Sequence, residues 1–366
     1  MKALVLSGGG AHGAYEAGVA TSLLAHESYD VICGVSIGAI NAALIAAGTT
    51  DDALGRFWHE EFPTRARQLF PHVPRLRRLI NHVGSIGHGN RWRDVMSVAR
   101  AASAIPFLGK LGYIQKESLP AVADALARMV DLSKLRISLL VGATNASRAS
   151  AAVFRAFVGK APTLGHRARL TEYHDLTKET FVMALLASSA MPGLFSPIEL
   201  KFNGTPDLYA DACIVHTSPL GLAIDNGASE VTVVFVDRER DSKSAGASLG
   251  LPEMAYNIAT LWQQRLLDYE LRIASATNEI VRLGGAPGKR EITIRSVRPE
   301  RPLELDMLAF DDRAALSAAF ARGVADGAAG PQLVLPESSP EIAIKKGDAL
   351  WDKVVKRFPL LRGQRA

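Results

Sequence analysis

The sequence predicts an α/β fold with a central, mostly parallel sheet, and two segments near its start carry this prediction. Residues 3–6 form a short apolar run that passes through glycines into an alanine-rich helical pattern, and residues 31–33 do the same. Short apolar runs of this kind predict buried strands, and the spacing after each turn predicts a helix. Successive strand-turn-helix units are typical of a sheet whose strands run parallel.

The later elements continue this alternation. Strands are predicted near residues 136–143, 151–158, 230–237 and 291–297, and helices near 36–48, 178–190, 252–282 and 312–326. We predict one large domain over residues 1–330, with a helical insertion at about 52–130. The segment from Pro331 to Pro340 is rich in Pro and Ser, so residues 331–366 are predicted to be a linker and a basic amphipathic tail.

The composition is that of a globular chain. Its 366 residues, 48% hydrophobic and 22% charged, can bury a large core. No run reaches the roughly 18 apolar residues of a membrane-spanning helix, and the chain enters its first strand with no room for a signal peptide. Two cysteines provide no disulfide framework. We therefore expect a cytoplasmic protein.

The first turn, residues 8–13, contains four glycines in six positions. A turn between a strand and a helix directs unpaired N–H groups at one point, and the helix dipole adds positive charge there, so an anion site is predicted. The spacing Gly8-x-Gly10-x-x-Gly13 also matches the dinucleotide-binding fingerprint, although that pattern alone is weak. A tight turn without a ligand would use the same glycines.

The second turn, residues 34–38, distinguishes these interpretations. A dinucleotide fold would place an acidic residue at the end of the second strand, whereas this chain has Ser36 there and Asp30 before the strand. The lysine of a phosphate-binding loop is also missing. Gly34-x-Ser36-x-Gly38 is the pattern of a nucleophile elbow, in which the glycines relieve crowding around a strained serine.

A hydroxyl and a fan of amides on adjacent turns suit acyl transfer. The attacked carbonyl develops negative charge on its oxygen, and each preorganised donor there is worth about 3 to 4 kcal/mol. We therefore predict that the glycine turn is an oxyanion hole formed by the amides around Gly9, Gly10 and Ala11. The amide of Ile37 is a further candidate donor.

The serine needs a base, and the sequence offers two arrangements. The α/β-hydrolase order of Ser, Asp and His is met by Ser36, Asp175 and His216, but that fold places several strands before its elbow. The other candidate is Asp211, which follows a short apolar stretch and precedes a turn of small residues. A turn-forming aspartate that satisfies nearby amides fits the same pattern.

Four motifs together resemble those of the patatin-like phospholipases. In the family's order they are residues 8–13, residues 34–38, ASSAMPGLFSPIEL at 187–200, and Asp211-Ala212. The resemblance covers about residues 1–225 and implies a three-layer α/β/α sandwich in which residues 1–330 are the catalytic domain. Ala212 stands where the family usually has glycine, and His12 is expected to line the site.

The resemblance also implies the site. Ser36 and Asp211 would form a catalytic dyad, without a catalytic histidine, metal or cofactor. The residues assigned to the oxyanion hole are Gly8, Gly9, Gly10, Ala11, Gly13 and Ile37, and those assigned to the elbow are Gly34 and Gly38.

The implied function is a lipid acyl hydrolase of the phospholipase A type that works through an acyl-enzyme. Its substrate would be a phospholipid or another acyl ester. A soluble carboxylesterase or an acyl thioesterase could use the same dyad. Outside the hydrolases, a dinucleotide-binding protein and a catalytically silent scaffold remain alternatives.

Two basic segments bear on the partner. Arginines interleave with bulky apolar residues between Phe62 and Arg93, where acidic residues are absent, and lysines and arginines flank Trp351 in the tail. This pattern suits an anionic membrane surface, and it would place the protein at the inner face of a membrane. The predicted contacts are Arg65, Arg67, Arg75, Arg77, Arg78 and Trp92. A solvated face that covers the core fits equally, and no nucleic acid is expected because no recognised binding module accompanies the charge.

Overall fold

The structure is a computed structural model. It describes residues 1–69, 115–161, 171–192, 195–202, 204–212, 219–237, 268–285 and 288–334. The chain divides into two compact units, residues 1–334 and 335–366, and all described residues belong to the first. Of the predicted linker and basic tail, residues 331–334 are described and include the short strand Gln332–Leu333, and the rest lies outside the described residues.

Strands and helices alternate along most of the described chain. The strands are β1 Lys2–Leu6, β2 Val31–Val35, β3 Ser138–Asn145, β4 Ser150–Ala156, β5 Thr171–Asp175, β6 Ile198–Phe202, β7 Thr205–Ala210, β8 Glu230–Val234, β9 Thr293–Val297 and β10 Gln332–Leu333. The helices are α1 Gly13–Leu24, α2 Ile37–Ala46, α3 Asp51–Arg56, α4 Phe62–Leu69, α5 Gln115–Met129, α6 Phe181–Ser188, α7 Pro219–Asp225, α8 at 268–282 and α9 Arg313–Ala328. A π-helical stretch, Phe57–Glu61, joins α3 to α4, and short 3-10 turns occupy Gly10–His12 and Leu132–Lys134.

The described strands form one mixed sheet that is parallel at its centre. Its order is β10-β9-β8-β1-β2-β3-β4-β5, and β7 pairs with both β3 and β6. Strands β9, β8, β1, β2 and β3 run parallel, whereas β4, β7 and β10 pair antiparallel with their central neighbours. Strand β1 has β2 on one side and β8 on the other, so the chain order reverses beside it. Ligand sites of open parallel sheets form at the carboxyl ends of strands at such a point.

Alternate residues of the central strands pack into two cores, one on each face of the sheet. Leu4, Leu6 and Ile32 pack with α1, α2, α6 and α9. On the opposite face, Val5 and Cys33 pack with α7 and α8. This arrangement is the three-layer α/β/α sandwich with a mostly parallel sheet that the sequence predicts.

Strands β5, β6 and β7 are absent from the sequence prediction. They lie on the antiparallel side of the sheet, and most of their side chains are partly or fully exposed. Segments of this kind carry no continuous apolar run, so the signal that identifies β1 and β2 is missing. None of the described helices is long and apolar enough to cross a membrane.

Candidate active site

Ser36 lies in the turn between β2 and α2, in a conformation that few residues other than glycine adopt. Its φ is 55° and its ψ is −135°. Among the described non-glycine residues, only Ala149 also has a positive φ. A side chain on Gly34 would collide with the carbonyl of Gly38, so the turn closes tightly around Ser36. A strained serine in a tight turn from strand to helix is the backbone geometry that the predicted nucleophile elbow requires.

The glycine turn after β1 lies against the elbow. A Cβ on Gly8 would stand 2.9 Å from the Cβ of Ser36, and the φ values of Gly8, Gly9 and Gly10 are 76°, 129° and 60°. A side chain on Gly10 would also collide with the carbonyl of Met307. The two turns predicted to face one another are therefore in contact.

Several amides assigned to the oxyanion hole are engaged elsewhere. The amide of Gly8 donates to Oε1 of Glu16 at 2.9 Å, and that of Ala11 donates to the Met307 carbonyl at 2.8 Å. The amide of Gly13 donates to carbonyls within the 3-10 turn. The amides of Gly9, Gly10 and Ile37 are the remaining donors from which an oxyanion hole can be built.

The end of α6 holds the backbone of Ser36 on both sides. The Ser36 amide donates to the hydroxyl of Ser188 at 3.0 Å, and the Ser189 hydroxyl donates to the Ser36 carbonyl at 3.0 Å. The Ser188 hydroxyl in turn donates to the Gly142 carbonyl of β3 at 2.7 Å. The motif at 187–200 thus supplies two serines that brace the elbow.

Asp211 follows β7 and is held by the same helix end and the same strand. Its amide donates to the Ala190 carbonyl at 2.9 Å, and its carbonyl accepts from the Thr144 hydroxyl of β3 at 2.9 Å. Asp211 is fully buried. Ala212 has no positive φ, so alanine in place of glycine costs no backbone strain there. Ser36 and Asp211 are therefore both anchored to residues 188–190 and to β3.

The other candidate bases lie in different surroundings. Asp175 is paired with Arg155 at 2.6 Å, and its side chain is 76% exposed on β5. Since β3 and β4 separate β2 from β5, three strand spacings of about 4.8 Å place Asp175 roughly 14 Å from the elbow strand. His216 lies outside the described residues. Nε2 of His12 contacts the Leu305 carbonyl at 2.7 Å, and His12 is not among the described residues that line the cavity beside Ser36.

An apolar cavity of about 120 Å³ lies against Ser36. Gly10, Ser36 and Ser189 contribute to its wall, and the other described lining residues are apolar except for Arg65. The apolar side chains come from α2, the π-helical stretch, α4, α5, α6, β6, and residues 191, 195 and 307–310. An apolar cavity of roughly 150 Å³ is large enough to bind benzene, so this one can hold part of a hydrocarbon chain beside the serine.

Two buried polar residues of the site were not predicted from the sequence. Glu16 and Asn41 are both 0% exposed, beneath the two turns. Glu16 is the single charged residue of α1, and Asn41 is the single polar side chain of α2. The signal that could have identified them was a single charged residue in α1 and a single polar residue in the apolar α2.

The residues predicted to contact a membrane are only partly described. Arg65 lies 3.7 Å from Glu61 and contributes to the cavity wall, and Arg67 lies in α4. Arg75, Arg77, Arg78 and Trp92 lie outside the described residues. Among the described side chains, no group of three or more His, Cys, Asp or Glu is placed to hold a metal ion.

Comparisons with known proteins bear on this geometry. Residues 4–224, more than half of the chain, match the family model of the patatin-like phospholipases. The chain is also similar to VipD from Legionella pneumophila, with 12% identity, 91% of this chain and 68% of VipD covered, and a TM-score of 0.34. Full-length ExoU from Pseudomonas aeruginosa, solved in complex with SpcU, shows 15% identity and a TM-score of 0.29, with 99% of this chain and 60% of ExoU covered. This chain therefore spans less than two thirds of ExoU. No curated protein matches significantly.

On the strength of the match over residues 4–224, the chain belongs to the patatin-like phospholipase family, a family of lipid hydrolases.

Proposed function

We propose that this protein is a phospholipase A-type lipid acyl hydrolase in which Ser36 is the nucleophile and Asp211 is its base. The observation that carries the proposal is the apolar cavity against the strained serine of the elbow. A nucleophile beside such a cavity suits an ester whose acyl group is a hydrocarbon chain, because burial of each methylene contributes about 0.8 kcal/mol. A small polar ester would gain little from this wall.

The proposed reaction has two halves. The Ser36 hydroxyl transfers its proton to Asp211 while Oγ adds to the ester carbonyl, and the amides of Gly9, Gly10 and Ile37 stabilise the oxyanion. Collapse of this intermediate breaks the ester bond, and the departing alcohol takes the proton from Asp211. Water then gives a proton to Asp211 and attacks the acyl-enzyme. The fatty acid leaves as Ser36 recovers its proton.

The cavity predicts a preference for longer acyl chains that a filled cavity should lose. Ala125 lies in α5, and its buried side chain lines the cavity. We expect Ala125→Phe to lower kcat/KM for decanoyl and longer esters by about 10-fold or more, since several buried methylenes are lost, while acetyl and butyryl esters react at near wild-type rates. A chain-length series of nitrophenyl esters and lysophospholipids measures this.

A matched control lies two residues further along the same helix. Ala127 is exposed, so Ala127→Phe should leave the chain-length profile unchanged. A wild-type enzyme that prefers short esters or acyl thioesters in this series would instead support a soluble esterase or a thioesterase.

The oxyanion hole is tested at Gly10. A side chain there would meet the Met307 carbonyl in a backbone with φ of 60°, so Gly10→Ala should displace the neighbouring amides. We expect kcat to fall about 100- to 1000-fold, as when an oxyanion donor is lost. Gly330→Ala is the matched control, because Gly330 also has a positive φ of 85° but no described atom lies within 4 Å of the place that its Cβ would take.

The same protein preparation tests the dinucleotide alternative. A ligand that binds the folded state raises the melting temperature. Since we expect neither NAD nor ATP to bind, both should leave the melting temperature of the wild-type protein unchanged. A clear stabilisation by either compound would favour a nucleotide site in the glycine turn.

The proposal includes contact with an anionic membrane surface. Its support is the run between Phe62 and Arg93, in which arginines alternate with bulky apolar residues and acidic residues are absent. Such contact would bring the cavity to its lipid substrate and hold the protein at the inner face of a membrane.

A further inference from the structure

Glu16 is a buried carboxylate beneath both turns of the site. Its Oε1 accepts a hydrogen bond from the Gly8 amide at 2.9 Å, and its Oε2 accepts one from the side-chain amide of Asn41 at 3.2 Å. The backbone of Ser7 also favours the ionised form of this carboxyl and lowers its pKa. A Cβ on Gly38 would lie 3.0 Å from Oε2. One side chain therefore contacts the glycine turn and the elbow together.

The hydrogen bonds of Asn41 determine whether Oε2 of Glu16 faces a donor or an acceptor. The Asn41 Nδ2 also donates to the Gly13 carbonyl at 2.9 Å, and its Oδ1 accepts from the Trp58 indole at 3.0 Å. If Oδ1 and Nδ2 of Asn41 were exchanged, both of these hydrogen bonds would be lost. Asn41 therefore presents an N–H to Glu16. The described partners of Glu16 are thus all donors, which suits a carboxylate and leaves the O–H of a carboxylic acid without an acceptor.

We propose that Glu16 is a positioning residue for the oxyanion hole and that its ionised form supports turnover. Its carboxylate holds the Gly8 amide at the start of three successive glycines with positive φ. It therefore sets where the amides of Gly9 and Gly10 stand relative to Ser36. The inference rests on the proposed hydrolase function, because it concerns the same oxyanion hole.

Protonation of Glu16 competes with this role near neutral pH. Burial raises the pKa of Glu16 to about 7, and the hydrogen bonds from Gly8, Asn41 and Ser7 oppose that rise only in part. The titratable groups of the neighbouring elements engage other partners. Tyr15 bonds to Asp326, His12 to the Leu305 carbonyl, and His59 to Ser317. Turnover should therefore decline as the pH falls through about 7 and Glu16 takes up a proton.

Glu16→Gln preserves the shape of the side chain and removes its ionisation. We expect kcat at pH 8 to fall about 10- to 100-fold with KM changed less than about 2-fold, because the transition state alone uses the positioned amides. The decline of kcat as the pH falls through about 7, which is the acid limb of the pH–rate profile, should also disappear. Glu199→Gln is the matched control, since Glu199 is exposed on β6, and it should leave both rate and limb unchanged.

Glu16→Asp provides a second variant that still ionises but is one methylene shorter. We expect a slower enzyme whose acid limb is displaced from that of the wild type. If Glu16→Gln does not fold, this displacement carries the test, and an acid limb of Glu16→Asp that coincides with the wild-type limb overturns the inference.

Thermal unfolding distinguishes positioning from a structural role. The folded pKa of about 7 exceeds the ordinary value of 4.5, so the folded state binds the proton more tightly and the stability contributed by this group falls as pH rises through that window. Between pH 5 and pH 8 the melting temperature of the wild type should therefore fall relative to that of Glu16→Gln. The variant should gain relative stability in this range although it is the slower enzyme. A constant difference across this range overturns the assigned ionisation.

Two outcomes identify which claim fails. If the wild-type protein hydrolyses the substrate through Ser36 and Glu16→Gln has the same kcat, the role of Glu16 is overturned and the proposed function stands. A wild-type protein without Ser36-dependent hydrolysis overturns the proposed function and this inference with it.

Discussion

Replacement of Ser36 by alanine should lower ester hydrolysis by about 10⁴-fold or more and abolish covalent labelling by a fluorophosphonate. The elbow presents a single hydroxyl against the cavity in a strained backbone, and Ser189, the other serine of the described cavity wall, donates its hydroxyl to the Ser36 carbonyl. Alanine tolerates the φ of 55° as poorly as serine does, so the melting temperature should change little. The measurements are lipid hydrolysis and mass-spectrometric detection of the labelled peptide.

Ser133→Ala is the control for this prediction. Ser133 is exposed in the turn before β3 and bonds to Asp131, away from the cavity residues. It should label and hydrolyse like the wild type. Full labelling of Ser36→Ala would remove Ser36 as the nucleophile.

Replacement of Asp211 by asparagine should be nearly as damaging as loss of the serine. Asparagine has a similar shape but cannot take the proton from the Ser36 hydroxyl. We expect a loss of about 10³-fold or more in kcat. Because the two residues act as one unit, the double variant should be no slower than Ser36→Ala alone.

Histidine variants provide the controls for the base. His174 lies 3.4 Å from both Glu172 and the Tyr209 hydroxyl and stacks on Phe202, so His174→Ala should retain most activity if the protein folds. His216→Ala should do the same. Loss of activity in a folded His216→Ala, with activity kept in Asp211→Asn, would restore the serine, aspartate and histidine arrangement.

Local patterns in the sequence were enough for the central part of the fold. Strands β1 and β2 are apolar runs because both faces of a parallel strand are buried, and the glycines after them mark turns that admit no side chain. Strands β5, β6 and β7 escaped prediction because partial exposure leaves a mixed pattern of apolar and polar residues. Sequence spacing also carries no information on which strands pair, so the position of β8 beside β1 came from the tertiary structure.

The candidate site divides in the same way. The sequence by itself determined that Ser36 occupies a tight turn between strand and helix and that the turn after β1 is bare backbone, because crowding between Gly34 and Gly38 is a local constraint. Only the tertiary structure decided which amides of the glycine turn are engaged. Met307, the partner of Ala11, is distant in sequence, and Glu16, the partner of Gly8, lies within a mostly apolar helical pattern. It likewise decided that residues 188–190 anchor Ser36 and Asp211 together, because hydrogen bonds across 152 residues of chain depend on how the layers pack.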